Sequence, residues 1–565
     1  MGWIGAPEPD LLRGMLDRLT HRGPDSSGSW HDPPLGAWLG HRRLSILDLS
    51  PEGHQPMASP SGRYVVTYNG EVFNFKELRR ELKASGVTFR GTSDTETIVA
   101  GFDLWGVPST VERLVGMFAF GVFDRHTSTL WLGRDRLGIK PLYYTVNARQ
   151  IAFSSELHAL KGVPWLTGGL DLDALAAYFR YLCVPAPATI LEGAHKLPSG
   201  HLLRWDGREA EVIEYWSLRD VARKGLSTPL TGSMSEVADE LERRLKDAVK
   251  MRMVSDVPLG AFLSGGVDSS TVVALMQSQA SQPIKTFTIG FEESSHDEAP
   301  FARAIAEHLG TDHHEQILTA KEAMDLIPLI ASCHDEPFAD ASAVPTYLLS
   351  RFARQHVTVA LSGDGGDELF GGYPRYFWAA RIENLRQRLT PAGSRLLGRA
   401  LAGVPAGLWD GPITRLGGWR YAGSDGLAAR VRRLGGYLAI APDSVYEKML
   451  SAWVDPVELL DRNPSAILGP CSRPLVDLAW PERMMALDAE NYLVDDILTK
   501  VDRASMAVSL EARVPLLDHR LVEWSWGVPR NLKLAPDGDR GKLVLREVLY
   551  RYVPRHLVER PKKGF

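Results

Sequence analysis

The stretch Ala261-Phe262-Leu263-Ser264-Gly265-Gly266-Val267-Asp268-Ser269-Ser270 decides the fold of the second half of the chain. The apolar run that ends at Leu263 predicts a buried strand, and the apolar positions after Asp268 predict a helix. A strand, a loop of small residues and a helix N-terminus together present backbone N–H groups to a phosphate. Asp268 is a poor neighbour for a phosphate unless a cation lies between them, so the stretch also predicts Mg²⁺. An ordinary strand-to-helix turn is the alternative.

A second loop of the same kind lies in Val357-Thr358-Val359-Ala360-Leu361-Ser362-Gly363-Asp364-Gly365-Gly366-Asp367-Glu368. Strands and helices alternate between the two loops, which predicts a parallel sheet covered on both faces. Both loops then lie at the carboxyl edge of the sheet and face one crevice. We expect Asp268 and Asp367 to share a Mg²⁺ that carries pyrophosphate. Neither loop has a Walker A lysine, which disfavours a kinase-like or motor-like NTPase.

The first 165 residues or so are β-rich with two helices. Residues 64–68 predict a strand that ends in a turn at Asn69-Gly70. The segments Phe75–Ala84 and Asp94–Trp105 predict helices, the second opened by a capping box at Ser93.

The composition is that of a globular protein, with 565 residues, 44% hydrophobic residues and a net charge of −5. This length predicts about two to four domains. The charge gives no reason to expect nucleic acid or an anionic membrane as a partner. No apolar run reaches about 18 residues and no basic-then-apolar signal opens the chain, so we expect a cytoplasmic protein. The scattered Cys183, Cys333 and Cys471 fit neither a disulfide framework nor a zinc site.

Several short strings in the first half are more specific than their secondary structure requires. Alone, each is typical of a turn, a surface cation, a hairpin, a helix cap or a salt-bridged loop. As an ordered set they resemble the glutamine-hydrolysing domain of class II amidotransferases, which implies an N-terminal-nucleophile fold, a four-layer αββα sandwich. The strings are His21-Arg22-Gly23-Pro24-Asp25, His41-Arg42-Arg43-Leu44-Ser45-Ile46, Tyr68-Asn69-Gly70-Glu71, Ser93-Asp94-Thr95-Glu96 and Arg134-Asp135-Arg136-Leu137-Gly138.

This resemblance implies a glutamine site. Arg43 would bind the α-carboxylate of glutamine, where a guanidinium fork fits well. Asn69 and Gly70 would form the oxyanion hole. Asp94 and Glu71 would hold the α-amino group.

The start of the chain departs from that family, which begins Met-Cys-Gly-Ile and uses the exposed cysteine as nucleophile. This chain begins Met1-Gly2-Trp3-Ile4-Gly5, and we expect no glutamine hydrolysis by that route. Either the start is clipped or the glutaminase has decayed. The presence of every pocket residue favours clipping.

The motifs of the second half resemble glutamine-dependent asparagine synthetases, and the match runs over essentially the whole chain. They are Ser264–Ser270, Ser362–Glu368 with Gly371-Gly372-Tyr373, and Leu510-Glu511-Ala512-Arg513-Val514-Pro515-Leu516-Leu517-Asp518. The resemblance implies a glutaminase domain over residues 1–210, a linker over 211–235 and a synthetase domain over 236–565. The last is an α/β ATP-pyrophosphatase fold followed by helices, and we expect it to be clipped at its C-terminus.

The resemblance also assigns residues of the synthetase domain. Asp364 would act near the acyl-adenylate as base for the attacking ammonia, and Tyr373 would lie beside the acceptor. Lys562 would stabilise departing pyrophosphate. For Lys500 and Arg503, ion pairing with Asp495, Asp496 and Glu511 is as good an interpretation as a role in the site. The AMP site would be lined by Leu263, Ile289, Ser362 and Gly363, and the phosphates would be held by Ser264, Gly265, Gly266, Asp268, Ser269 and Ser270.

The function implied is ATP- and Mg²⁺-dependent amidation of aspartate to asparagine, with glutamine or ammonia as nitrogen donor. Amidation of a sugar-acid carboxylate in surface-polysaccharide assembly and a β-lactam-synthetase-like ring closure stay open. Intact loops at Ser264 and Ser362 argue against a non-catalytic paralogue. The resemblance leaves a homodimer open.

Overall fold

The computed structural model describes residues 1–5, 9–293, 297–403, 427–442, 444–453, 460, 475, 477–535 and 540–559. Within these residues no helix is long and apolar enough to cross a membrane. Cys183 and Cys333 carry free thiols, and Cys471 lies outside the described residues.

The first half contains two six-stranded antiparallel sheets, with strand orders β10-β8-β9-β1-β3-β2 and β12-β11-β7-β6-β5-β4. The strands are β1 (Gly2–Ile4), β2 (Ser26–Asp32), β3 (Ala37–Arg43), β4 (Met57–Ala58), β5 (Tyr64–Val72), β6 (Gly116–Asp124), β7 (Thr129–Arg134), β8 (Tyr143–Asn147), β9 (Gln150–Ser154), β10 (Ala194–Lys196), β11 (His201–Trp205) and β12 (Ala210–Glu214).

Helices cover the outer face of each sheet. Leu39, Val65 and Phe153 pack between the two sheets in one buried cluster. Separate clusters join each sheet to its helices. The order helix, sheet, sheet, helix confirms the four-layer sandwich that the family resemblance implied. The helices are α1 (Pro9–Arg18), α2 (Phe75–Ala84), α3 (Asp94–Trp105), α4 (Val107–Arg113) and α5 (Leu172–Tyr181), with short 3₁₀ turns at Thr20–Arg22, Pro33–Leu35, Pro51–Gly53 and Leu157–Leu160.

The turn expected at Asn69-Gly70 was wrong, because β5 continues through both residues to Val72. Asn69 lies opposite Ala119 and Gly70 opposite Phe118 in the ladder with β6. Gly70 has a φ of +145°, and a Cβ there would lie 2.0 Å from the Met117 carbonyl oxygen. The glycine therefore permits a close approach of two strands inside a sheet.

The second half is built on a five-stranded parallel sheet with the order β15-β14-β13-β16-β17. The order reverses at β13, which has β14 on one side and β16 on the other. Such a switch point opens a crevice beyond the carboxyl ends of the strands. The strands are β13 (Leu259–Phe262), β14 (Lys285–Phe291), β15 (Asp312–Leu318), β16 (Val359–Leu361) and β17 (Glu511–Arg513).

The helices of the second half pack on both faces of this sheet, as the alternating pattern predicted, or on one another. They are α6 (Leu218–Ser227), α7 (Met234–Arg252), α8 (Val267–Gln277), α9 (Ala299–Leu309), α10 (Ala320–Asp325), α11 (Ile327–Cys333), α12 (Ala343–Arg354), α13 (Gly366–Phe370), α14 (Pro374–Gln387), α15 (Pro391–Gly403), α16 (Leu427–Ala439), α17 (Ser444–Leu450), α18 (Trp480–Leu487), a π-helical stretch Asp488–Leu498, α19 (Thr499–Met506), a 3₁₀ turn Pro515–Leu517, α20 (His519–Ser525), α21 (Arg530–Lys533), α22 (Leu543–Leu549) and α23 (Arg555–Val558).

A buried ionic cluster joins the two halves, and its members are Arg22, Glu156, Asp335, Asp502 and Arg503. Arg22 donates to both oxygens of Asp502 at 2.8 and 2.9 Å and to Glu156 at 2.8 Å. Arg503 lies 2.8 Å from Glu156 and 2.8 Å from Asp335. All five side chains are at most 5% exposed, so each charge depends on its partners.

A second buried ion pair holds α7 to the segment before α20. Arg252 donates to Asp518 at 3.0 Å, and both side chains are at most 2% exposed. Burial works to raise the pKa of Asp518, but the Arg252 and Arg520 charges outweigh it and hold that pKa well below its usual range. The charged form of Asp518 therefore belongs to the folded state.

Replacing Asp518→Asn should lower the free energy of unfolding by about 3 kcal/mol, because Arg252 would stay buried without its counter-ion. Chemical denaturation followed by circular dichroism measures this change. Asp247→Asn is the matched control, since Asp247 makes an exposed pair with Arg520 at 3.1 Å and should cost less than about 1 kcal/mol. Equal losses in the two variants would contradict the assignment.

Candidate functional sites: a nucleotide-type cleft and a glutamine-type pocket

Two loops meet at the carboxyl edge of the parallel sheet. Residues 263–266 follow β13 and residues 362–365 follow the adjacent β16. A Cβ on Gly363 would lie 2.6 Å from the Ser269 backbone nitrogen and 2.8 Å from the Asp268 carbonyl carbon. The second loop therefore packs directly against the start of α8, and both loops line one cleft of about 550 Å³.

Hydrogen bonds of its own serine hydroxyls fix the shape of the first loop. Ser264 Oγ lies 3.0 Å from Ser269 Oγ and accepts from the Gly266 N–H at 3.3 Å. Gly266 caps α8 without a side-chain hydrogen bond, which leaves the first N–H groups of the helix available at the cleft. Ser270 differs from the other predicted phosphate residues, because it is fully buried and does not line the cleft.

The predicted nucleotide residues Leu263 and Ile289 line the same cleft. Both are buried, at 1% and 5% exposure. Leu263 donates its backbone N–H to the Phe287 carbonyl at 3.0 Å, which fixes the end of β13 beside β14. This part of the cleft is an apolar wall with backbone groups at its edge, a surface that suits a planar base.

A lysine bridges the two carboxylates that we expected to share a metal. Lys542 Nζ pairs with Asp268 and lies 2.6 Å from Asp367. Burial works to lower the pKa of Lys542, but the charges of Asp268 and Asp367 outweigh it and raise that pKa. The two aspartates therefore converge on one cation position. Lys542 carried no recognisable motif in the sequence, and only the fold brings it to the loops.

One end of the cleft, called the far end below, is defined by Asp364, Glu368 and Tyr373. Ser362 Oγ donates to Asp364 at 2.7 Å, and burial raises the pKa of Asp364. The Tyr373 hydroxyl donates to Glu368 at 2.7 Å. Burial, followed by the charge of Asp367, raises the pKa of Glu368 to about 8. Two carboxyl groups at this end are thus biased toward their neutral forms.

Lys500 enters the same end from α19. Its ammonium donates to Asp340 at 2.6 Å and to Ser342 Oγ at 2.7 Å. These hydrogen-bond partners differ from Asp495, Asp496 and Glu511, which the sequence suggested, although the Lys500 charge also acts on Asp496. Arg503 likewise pairs with Glu156 and Asp335 in the ionic cluster. Asp340 lies far from Lys500 in the chain, and no sequence pattern connects the two residues.

The predicted glutamine residues converge on a second pocket, of about 100 Å³, lined by Arg43, Asn69, Gly70, Asp94 and Met1. Asn69 Nδ2 is buried and has no hydrogen-bond partner in the described part of the chain. A buried amide donor without a partner is costly, and it suits a site that receives an oxyanion.

The charged residues of this pocket have fixed positions. Asp94 accepts from the Tyr68 hydroxyl and the Val72 N–H, both at 2.9 Å, and burial raises its pKa. The Arg43 guanidinium donates to the Leu47 and Ser50 carbonyls at 3.3 and 3.2 Å. These bonds hold the Arg43 guanidinium beside the backbone of residues 47–50.

Glu71 lies at the border between the two halves. Its carboxylate is 3.3 Å from Arg513, the last residue of β17. Burial and the charge of Asp94 raise the pKa of Glu71. Glu71 therefore connects the glutamine pocket to the edge strand of the parallel sheet.

Met1 occupies the pocket edge that faces Asn69. Its amino group donates to the Gly40 carbonyl at 3.1 Å, and burial lowers the pKa of that amine to about 5. The amine is therefore neutral at physiological pH. Lys562 lies outside the described residues, and its role stays a prediction.

Comparison with known protein families agrees with both halves. The glutamine amidotransferase domain model matches residues 1–216, and the asparagine synthase model matches residues 240–565. The chain is a ligase of the glutamine amidotransferase class. It belongs to the asparagine synthetase family.

Full-length relatives show the same likeness. The chain is 33% identical to glutamine-hydrolyzing asparagine synthetase 1 of Bacillus subtilis, over 99% of this chain and 84% of that protein. It is 34% identical to a putative glutamine-hydrolyzing asparagine synthetase of Mycobacterium tuberculosis, over 99% of this chain and 84% of that protein. It is 28% identical to the amidase chry2 of Gibberella zeae, over 98% of this chain and 84% of that protein.

Replacing Gly363→Ala should separate the two loops of the cleft, since the new methyl group would overlap the Ser269 backbone. We expect at least about a tenfold weaker binding of ATP, measured by calorimetry, because backbone donors work only when positioned. Gly403→Ala is the control, as nothing in the described part of the chain lies within 4 Å of a Cβ there. Unchanged ATP affinity in Gly363→Ala would show that the loop contact is not needed.

Proposed function

We propose that the chain converts a carboxylate to its amide at the expense of ATP, through an acyl-adenylate, with aspartate as acceptor and asparagine as product. The observation that carries the proposal is the meeting of the two β-strand loops around the Lys542 ammonium, at the switch point of the parallel sheet. A cleft with helix N–H groups, a cation and an apolar wall suits an adenine nucleotide.

ATP would lie with its base against Leu263 and Ile289 and with its phosphates over residues 264–269. Ser362 and Gly363 would complete the AMP site. The acceptor carboxylate would attack the α-phosphorus, forming the acyl–phosphate bond and releasing pyrophosphate. Ammonia would then attack the acyl carbon, releasing the amide and AMP. Adenylation replaces a poor leaving group by a good one.

Asp364 would serve the second step. Its buried position raises its pKa, and Ser362 fixes its carboxylate. A carboxylate so placed could take the proton that the attacking ammonia loses. Tyr373 would border the acceptor, with its hydroxyl held by Glu368.

Asp268 and Asp367 fit a Mg²⁺, because two carboxylates converge on one cation position and oxygen donors suit a hard cation. Mg²⁺ bound there would neutralise charge on the pyrophosphate. Lys542 lies between the same two carboxylates. Lys562 would also stabilise the negative charge of the departing pyrophosphate.

The glutamine pocket would supply nitrogen when a nucleophile is present. Arg43, Asp94 and Glu71 would hold the amino-acid end of glutamine, and Asn69 with Gly70 would receive the oxyanion. Free ammonia would be the nitrogen donor when the pocket holds no nucleophile. The proposed domains are residues 1–210 and 236–565. The strand β12 (Ala210–Glu214) pairs with β11 at the end of the first domain.

The proposal is tested by an acceptor screen with ATP and ammonium that follows AMP and pyrophosphate. We expect AMP to form only when aspartate is added, with one asparagine per AMP. AMP formation with a uronic acid but not with aspartate would favour the polysaccharide alternative. Absence of acceptor-dependent AMP with every candidate would contradict the proposed function.

Insertion of a cysteine between Met1 and Gly2 should create glutaminase activity after removal of Met1, because Asn69 and Gly70 already border that end of the chain. Glutamate release from glutamine measures the gain. Insertion of alanine at the same place is the control and should give none. A cysteine variant as inactive as the alanine variant would show that the pocket is not a working glutamine site.

A further inference from the structure

A carboxylate pair that the mechanism above does not use borders the far end of the cleft, with Asp340 in the lining and Asp496 against Asp340. Asp496, on the π-helical stretch, lies against Asp340. Asp340 lines the cleft and receives the Lys500 ammonium at 2.6 Å. The aspartates come from segments that are distant in the chain, so the fold places them together.

One oxygen of this pair has no partner. Asp496 is 6% exposed, and its Oδ1 atom has no hydrogen-bond partner in the part of the chain that the structure describes. A buried carboxylate oxygen without a donor is unfavourable unless a ligand supplies one. Burial, and then the charge of Asp340, raises the pKa of Asp496 to about 8. Among the described residues, two carboxyl groups therefore share the positive charge of Lys500.

The surroundings increase that deficit. The Tyr492 hydroxyl lies in the field of Asp496, Asp340 and Glu368, and its pKa is raised first by burial and then by Asp496. Arg375 offsets these charges only in part at Tyr492, because it is paired with Asp488 at 2.8 Å. Lys500 is close enough for its charge to act on Asp364 as well as on Asp340.

An acceptor carboxylate would meet strong repulsion at such an end unless the same molecule brought a cation. An α-amino acid brings both groups, and a sugar acid brings only the carboxylate. We infer that Asp340 and Asp496 form the subsite for the ammonium group of an amino-acid acceptor, with Lys500 as the counter-ion that this ammonium displaces. The inference rests on the proposed function and adds a residue-level account of acceptor choice.

The displacement has a further consequence for Lys500. Once an ammonium group pairs with Asp340, the Lys500 side chain is released toward Asp364 and the carboxylates of the acceptor. The same lysine can then bind an acceptor carboxylate. The subsite would therefore bind both the ammonium group and a carboxylate of an amino acid. Asp340 and Asp496 act here as specificity residues that touch the acceptor away from the reacting carbon.

The test compares aspartate with succinate, which lacks only the amino group. In the wild-type protein, kcat/KM for AMP formation should be at least about tenfold higher with aspartate. Asp496→Asn should lower the aspartate value at least about tenfold, chiefly through KM, and leave succinate within about twofold. Asp340→Asn repeats the test from another element, and Asp496→Glu, which keeps a carboxyl group, should retain part of the preference.

Asp495→Asn is the matched control. Asp495 is the neighbouring residue and is equally buried at 6% exposure, but it accepts from the Ala186 N–H, whereas Asp496 lies against Asp340. Its ratio of aspartate to succinate should equal that of the wild type. Circular dichroism checks that each variant is folded.

Two results would overturn the subsite while adenylation stands: equal use of aspartate and succinate by the wild type, or parallel losses for both acceptors in Asp496→Asn and Asp340→Asn. Absence of AMP with any acceptor would remove the proposed function and the subsite together. These patterns differ, so the two proposals can fail separately.

Discussion

The two halves of the molecule depend on the pairing of Asp502 and Arg503 with Arg22, Glu156 and Asp335. Each group is buried, and removal of one partner from a buried ion pair typically costs about 3–5 kcal/mol. The cluster is centred on α19, whose first turn carries Lys500 into the cleft and whose last residue, Met506, borders the glutamine pocket. One short helix thus fixes the relative position of both sites.

The parallel sheet and its loops were predictable because their signals are local. The apolar run before Ser264 and the one before Ser362 specify strands, and their order along the chain places both ends at one edge. The residues predicted to bind glutamine share one pocket, and each was identified because it belongs to a short string. The structure differs at Asn69-Gly70, where a pair typical of a hairpin turn lies inside β5. A local pattern cannot reveal that Met117 approaches closely enough to require glycine there.

Other site residues could not be predicted, because their signals are not local. Lys542 follows the loops by about 175 residues or more and lies in no conspicuous string. Asp340 and Lys500 are 160 residues apart. Each is an ordinary charged residue in the sequence, and its importance comes from the partner that the fold supplies. Charged pairs between distant segments of the chain can therefore be identified only from the three-dimensional structure.

Lys542 gives the cleft a tethered cation of its own. The Asp268 and Asp367 carboxylates share one ammonium group. A divalent ion must compete with a cation that never diffuses away, so we expect it to bind weakly to the protein alone. In the proposed reaction, the triphosphate of ATP would add negative charge that attracts both the ammonium and the metal. Metal affinity and nucleotide affinity would then be linked, and each would raise the other by the same factor.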